Sequence, residues 1–332
     1  MTSNLPLLAL TLGDPAGTGP ELITRALADP VVHTCCRPLV IGDAATLSQA
    51  RHYTGIHLPV TTVTSPEEAR ITPELLTVLD LRNVRLPELA LGQISAMAGQ
   101  AAYEAVKTAA ELALAGRVQG IVTSAINKAA LNQAGHHYDG HTGLLAEICG
   151  RPAATMMLVA ERLRVSHVST HVPLRVAIER VRPPRIQEVL QLTHDAVQRL
   201  GITRPRLAVA GLNPHAGEGG LFGDEEERHI VPAIAAARAG GLDVHGPFPG
   251  DTIFFRTAQG EFDAAVAMYH DQGHVAAKML GLWKGVNVTL GLPIIRTSVE
   301  HGTNFDLAGT GRSDPRSLIE AIKLAAALVR QP

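Results

Sequence analysis

Short apolar runs alternate with amphipathic stretches along the whole of this chain, and few folds satisfy that rhythm. Residues 5–12 read as a buried strand and residues 20–27 as the helix after it. Strands are expected again at 38–41, 120–123, 155–159, 165–169, 207–210, 264–268 and 286–290, with 155–159 and 165–169 able to pair with each other. Helices are expected at 95–115, where Gly116 is a natural stop, and at 142–148, 186–200, 225–239, 274–280 and 315–330. Strand followed by helix, repeated, points to a largely parallel sheet covered by helices, an α/β architecture in two domains. No Gly/Ser or Pro linker marks a clean boundary, as expected of a chain that crosses between domains more than once.

The length of 332 residues suits about two domains. Hydrophobic residues are 46% and aromatics only 3%, so Ala, Leu, Val and Ile must carry the packing. A net charge of -2 argues against a general electrostatic grip on nucleic acid or an anionic membrane. Cys35, Cys36 and Cys149 make no disulfide framework and suit a reducing cytoplasm. The first apolar run ends at Gly13, too early for a secretory signal, and no run is long enough to span a bilayer. A cytoplasmic protein is therefore expected.

Polar side chains appear where strands run out, the place where ligands bind in such sheets. His270-Asp-Gln-Gly-His274 follows the strand at 264–268, His171 ends the run that begins at Val165, and His215 follows 207–210 in Gly211-Leu-Asn-Pro-His215-Ala-Gly217. Three imidazoles at strand ends are what a catalytic divalent metal needs if one position is to stay open for substrate. Neutral imidazole suits zinc, cobalt, nickel or iron, whereas Mg²⁺ prefers oxygen. A single His is more often an ordinary core or surface residue, and the chain has 15 of them. These three stand out because each follows a β-rich run among small or turn-forming residues.

Other stretches carry two readings each. Gly13-Asp-Pro-Ala-Gly-Thr-Gly-Pro-Glu21 is either an anion cradle at a helix N-terminus or a tight turn with Pro20 at the first helical position. It lacks the G-x-G-x-x-G spacing and the P-loop Lys-Ser/Thr. Thr142 in Gly140-His-Thr-Gly143 is a helix cap or, with His141, a substrate contact. Asn127-Lys128 lies at a strand end, and Lys278, Asn287 and Arg296 are capping or surface residues unless they form a clamp for phosphate or carboxylate. Asp224-Glu-Glu-Glu227 reads as a solvated first helical turn. Glu300-His-Gly-Thr-Asn-Phe-Asp306-Leu-Ala-Gly-Thr-Gly311 is a surface loop or a seat for a polar ligand such as an adenine ribose.

Taken together, these motifs resemble the 4-hydroxythreonine-4-phosphate dehydrogenase family (PdxA-like). The clearest blocks are Gly13 to Glu21, Asn213-Pro-His-Ala-Gly-Glu-Gly-Gly220, Tyr269-His-Asp-Gln-Gly273, Gly285-Val-Asn-Val-Thr-Leu-Gly-Leu-Pro293 and Arg296-Thr-Ser-Val-Glu-His-Gly-Thr303. The match runs from Thr11 to the last helix. It departs at Gly143, where the family often has Glu, and at Ala125, where Pro is usual. Leu221-Phe-Gly-Asp-Glu-Glu226 is similar to the branch acting on D-threonate or D-erythronate 4-phosphate.

The resemblance implies two α/β/α domains of the isocitrate/isopropylmalate dehydrogenase type, with the active site in the interdomain cleft. Residues 1–125 with 290–332 would form one domain, and 126–289 a central domain carrying the metal ligands and a dimer interface. It makes His171, His215 and His270 ligands of a divalent metal, Zn²⁺ first and Co²⁺ or Mg²⁺ as substitutes. It places His141, Thr142, Lys278, Asn287 and Arg296 on the substrate. His301, Gly302, Thr303 and Asp306 would hold NAD or NADP, and Lys278 and Asp251 are the candidate catalytic groups. The family forms homodimers in which the partner contributes one metal ligand. The implied reaction is NAD(P)-linked oxidative decarboxylation of a four-carbon 3-hydroxy acid 4-phosphate. A metal-dependent cis-dihydrodiol dicarboxylate dehydrogenase, or a non-redox aldolase or hydrolase, is the alternative.

Overall fold

The computed structural model describes residues 5–138, 140–151, 154–281 and 284–330. Residues 1–4 and 331–332, which the expected outer domain includes, lie outside them. Contacts divide the chain into two compact units, Met1–Ala154 with Leu292–Arg330, and Thr155–Gly291. The first unit opens with β1 (Leu7–Thr11), α1 (Gly19–Leu27), α2 (Pro30–Cys35), β2 (Arg37–Gly42), α3 (Ala44–Thr54), β3 (Val60–Val63) and β4 (Leu76–Asp80). It continues through α4 (Ala96–Leu114), β5 (Gly120–Thr123), α5 (Lys128–Gln133) and α6 (His141–Ile148). The second unit supplies β6 (Thr155–Ala160), β7 (Leu163–His167), α7 (Leu174–Arg180), α8 (Pro183–Gln198), β8 (Arg206–Ala210) and α9 (Val231–Ala239). After these come β9 (Asp243–Phe248), α10 (Gly250–Ala258), β10 (Ala264–Ala267), α11 (His270–Gly281) and β11 (Val286–Leu290). β12 (Arg296–Val299) and α12 (Arg316–Arg330) return to the first unit.

The first unit's strands run β3-β4-β2-β1-β5-β12, every pair parallel. Strands this apolar need helices on both faces. Leu7, Ala9 and Ile121 pack against Ala105 and Ala109 of α4. On the opposite face, a Cβ at Gly120 would meet Leu8 and Val329 of α12. Leu8, Leu10, Leu39 and Ile41 are fully buried, each contributing on the order of 2 kcal/mol of hydrophobic stabilisation. With few aromatics, backbones approach closely instead. A Cβ at Gly99 of α4 would lie 2.0 Å from the Ala130 carbonyl of α5, so even alanine there would force the two helices apart. α6 also packs on α4, and residues 126–154 fall with the first unit.

Local chemistry sets the helix starts. Asp43 caps α3 by accepting the Thr46 N–H at 2.8 Å, Ser95 caps α4 from Ala98 at 3.2 Å, and Asn127 caps α5 from Ala130 at 3.0 Å. Asn127 is therefore spent on the backbone, and Lys128 beside it is exposed.

In the second unit the strands run β11-β6-β7-β10-β8-β9. β6 pairs antiparallel with both β11 and β7, while β7, β10, β8 and β9 are parallel. α8 and α9 cover one face through Val189, Leu190 and Ile234, and α10 and α11 cover the other through Ile253, Phe254 and Ala277. No helix among the described residues is long and apolar enough to cross a membrane.

Candidate active site

Three parallel strands side by side, β7, β10 and β8, each end just before one of the expected histidines. His171 follows β7, His270 follows β10 and His215 follows β8. His270 is the first residue of α11, earlier than the helix start read from sequence near His274. Gln272 explains the difference. Its Oε1 accepts the Met268 N–H at 2.7 Å, satisfying a backbone donor ahead of the helix, and its Nε2 donates to the Gly211 carbonyl at 2.7 Å. One side chain thus fixes the first turn of α11 and ties it to the end of β8.

His270 lies in a histidine cluster. Its ring stacks on His274 at 3.6 Å between centroids and approaches His171 at 5.4 Å. His167 lies 4.7 Å from His274. Burial, reinforced by neighbouring imidazoles, lowers His167 to about 3 and His274 to about 4, so both are neutral at physiological pH. His270 Nδ1 bonds Asp271 Oδ1 at 2.6 Å. A cavity of about 480 Å³ opens beside these rings, lined by Thr170, His171, Leu174, Tyr269 and His270 among others. Lys278 is exposed on the same helix, within electrostatic reach of Asp271 and His274. Asn287 lies on β11 opposite Leu158, its Oδ1 sealed from solvent without a partner.

His215 sits on a backbone that L-residues avoid. Its φ is 53°, followed by 54° at Ala216, 80° at Gly217 and 43° at Glu218. Each non-glycine residue held there costs on the order of 1 kcal/mol. His215 Nδ1 bonds Glu218 Oε2 at 2.9 Å, its ring meets Phe222 edge-on, and Glu218 holds its pKa above the ordinary value, with a smaller contribution from Asp251 on α10. Asp251 itself is exposed. The surprise is Glu226. Read from sequence as part of a solvated turn, it is buried, and it binds the backbone that leads into His215.

His270 and His215 share one feature, an Nδ1 hydrogen-bonded to a carboxylate, the kind of support that metal-binding imidazoles commonly have. The donor set therefore fits a borderline divalent metal. Among the described residues, His171 and His270 approach each other ring to ring, and no three His, Cys, Asp or Glu side chains gather around one point.

In the first unit, Arg296 opens β12 and is almost completely buried, not a surface or capping residue. Its Nε and Nη2 donate to Thr123 Oγ1 at 3.1 and 2.7 Å, and burial pulls its pKa down to about 9. His141 stands within its field at the first residue of α6. Burial, then the Arg296 charge, hold the His141 pKa well below its ordinary value, and the ring bonds the Ser124 carbonyl. Nε2 is sealed without a partner, a neutral acceptor. The N-cap of α6 is Gly140, at φ 138°, so Thr142 lies one residue inside the helix and its hydroxyl is not the cap.

The Gly-rich loop is a structural turn. Its amides are used at home: Ala16 N–H donates to Asp14 Oδ1 at 2.9 Å, Gly17 N–H to the Asp14 carbonyl and Thr18 N–H to the Thr303 carbonyl, both at 3.0 Å. Glu21 accepts the Gly309 N–H at 2.5 Å and the Ser313 hydroxyl at 3.3 Å, and Arg25 donates to the Gly311 carbonyl. The loop from 301 to 311 is thereby docked on α1. On it, His301 Nε2 is sealed and unpartnered, while Gly302 is exposed with open space where a Cβ would lie. Thr303 faces the Gly-rich loop and Asp306 is exposed.

Burial raises Asp14 from 3.8 to about 6, and its Oδ2 has no partner. The folded chain keeps this proton between about pH 4 and 6, where the unfolded chain has shed it. Stability therefore falls as pH rises across that window and stays lower above it. Asp14→Asn is expected to raise stability by about 3 kcal/mol at pH 8 and to change little at pH 4. Urea melts at the two pH values check this, and an equal change at both would disprove the charge penalty.

Residues 34–325 match the family described as pyridoxal phosphate biosynthetic protein PdxA. The chain is 48% identical to the D-threonate 4-phosphate dehydrogenase of Cupriavidus necator, over 99% of this chain and 98% of that one. It is 44% identical to the 4-hydroxythreonine-4-phosphate dehydrogenase of Desulforapulum autotrophicum, over 98% and 96%. The crystal structure of a 4-hydroxythreonine-4-phosphate dehydrogenase from Burkholderia phymatum superposes with a TM-score of 0.88 at 47% identity, covering 98% of this chain and 99% of that one.

Proposed function

Because the chain belongs to the PdxA family, we propose that it oxidises the C3 hydroxyl of D-threonate 4-phosphate with NAD⁺ or NADP⁺ and releases CO₂, leaving dihydroxyacetone phosphate. The observation that carries this reading is the end-to-end identity with a D-threonate 4-phosphate dehydrogenase. The chain is a dehydrogenase acting on a CH–OH group of a phosphorylated four-carbon substrate. The residues supply what such a substrate needs. Arg296 presents a buried, delocalised cation to an anionic group, and Lys278 and Asn287 add a second charge and an amide. His141, held neutral, accepts a hydrogen bond from a substrate hydroxyl at Nε2. Thr142 adds a hydroxyl beside it.

A divalent cation on these imidazoles supplies positive charge beside the alcohol being oxidised, and the nicotinamide supplies the hydride acceptor. His171, His215 and His270 would hold the metal, and the stretch at His301, Gly302, Thr303 and Asp306 would hold the nucleotide. The hydride leaves C3, the hydroxyl proton leaves to a base, and the resulting 3-keto acid loses its carboxylate as CO₂. Lys278, exposed within electrostatic reach of His274, and Asp251, exposed within reach of His215, would pass the protons. A homodimer in which the second copy completes the metal set accounts for two features. Among the described residues no full metal set gathers, and α11 and α7 leave Val275, Met279 and Leu174 exposed.

Purified protein should be assayed with D-threonate, D-erythronate and 4-hydroxythreonine 4-phosphates, each with NAD⁺ and NADP⁺. The highest kcat/KM is expected with D-threonate 4-phosphate, with reduced nicotinamide and dihydroxyacetone phosphate formed one to one. Preference for 4-hydroxythreonine 4-phosphate would move the chain to the other branch. Absence of reduced nicotinamide with all three would overturn the reading.

A further inference from the structure

We propose that Glu226 is the positioning residue for His215, holding the loop that presents this imidazole to a divalent cation. The inference rests on the reading of His215 as a metal-binding residue. It adds a role that the metal set does not contain, because Glu226 reaches only the loop's backbone and amide groups.

The Glu226 side chain is 3% exposed, whereas Asp224 and Glu227 beside it are open to solvent. Oε1 accepts the backbone N–H groups of Leu212 and Asn213, both at 2.7 Å. Oε2 accepts the Asn213 side-chain amide at 2.9 Å. That amide also donates to Glu225 at 2.7 Å, so it cannot turn its oxygen toward Glu226. A carboxylate with acceptors on both oxygens meets three donors; a glutamine would present N–H to one of them.

The carboxylate is seated among glycines. A Cβ at Gly211 would lie 3.2 Å from Oε1, and one at Gly217 would lie 2.8 Å from Oε2. Between those two glycines the chain enters the left-handed run that carries His215 and Ala216. Such a run persists where surrounding bonds over-determine it, and the Glu226 bonds fall on the two residues that lead into it. Glu226 also opens a wide helical turn, Glu226–Ile230, ahead of α9, a distortion that recurs at functional sites.

The test compares Glu226→Gln with the intact chain by two readouts, hydrogen exchange at the Leu212 and Asn213 amides and Zn²⁺ affinity by competition with a chromophoric chelator. Both amides are expected to lose protection and the affinity to fall about 10–100-fold, the usual cost of losing a group that orients a metal-binding residue. Glu227→Gln should leave both unchanged. Asn213→Ala keeps the two backbone bonds and should fall less; if Glu226→Gln does not fold, this variant decides by the same readouts. Unchanged protection, or unchanged Zn²⁺ affinity despite lost protection, overturns the proposal. If the intact protein binds no Zn²⁺, the metal reading fails instead. Glu226 is then judged by exchange and by the rate at which diethylpyrocarbonate modifies His215, which must change several-fold in Glu226→Gln.

Discussion

Replacing His270 by alanine is expected to lower kcat/KM by at least about 10³-fold while leaving the fold intact. The ring belongs to the metal-binding set proposed above, and losing a preorganised charge opposite a developing oxyanion costs on the order of 10²–10³ even for a single hydrogen-bond donor. Stability should change by about 1 kcal/mol or less, because the His270 side chain is partly open to solvent and its strongest bond is to the exposed Asp271. Retention of near-normal turnover, or equal activity of the intact chain before and after exhaustive chelation, would remove the metal from the reaction. Zn²⁺ affinity of the variant gives the second readout, and it should fall with the activity.

The second large effect is expected at Arg296. Arg296→Met should cost about 10³-fold in kcat/KM, the order found when one partner of a buried charge pair is removed, and most of it should appear in KM. The unfolding temperature should change only modestly, because the lost bonds and the relieved burial of charge oppose each other. Burial lowers this guanidinium to about 9, so at pH 7 holding the charge inside the fold costs stability, and methionine removes that cost while giving up the bonds to Thr123 and the guanidinium's other contacts. The folded chain sheds this proton before the unfolded chain does, so in the intact protein this group's contribution to stability rises with pH above about 9. Arg296→Lys keeps a charge but loses the forked donors, and should recover only part of the activity. A large drop in melting temperature with unchanged KM would make Arg296 a core residue with no part in binding.

Much of this was legible in the sequence, for identifiable reasons. The runs at 207–210 and 264–268 show as strands because parallel strands buried on both faces are apolar throughout. The histidines after them stand out because ionisable groups rarely follow such runs. β3 escapes because Val60–Val63 is a partly exposed edge of two threonines between valines, and β12 because it begins with a charged residue. That same charge hides the burial of Arg296: no local pattern announces a guanidinium inside a core. Glu226 is invisible for a different reason. Its partners are main-chain N–H groups 13 and 14 residues upstream, and an acidic run before a helix looks solvated whichever member turns inward. A signal did exist in Gly211 and Gly217, which leave room for the carboxylate, but it reads as loop flexibility until coordinates place the acid between them.

The first unit is built from two stretches of chain separated by a continuous second one. A ribosome delivers them in order, so residues 155–291 can collapse while the opening stretch still waits for its last strand. During that wait β5 presents a bare hydrogen-bonding edge, which only residues 296–299 will cover. Truncation anywhere before β12 therefore leaves a nascent sheet that is sticky along β5, and chaperone demand in the cell should follow the translation speed of the closing segment.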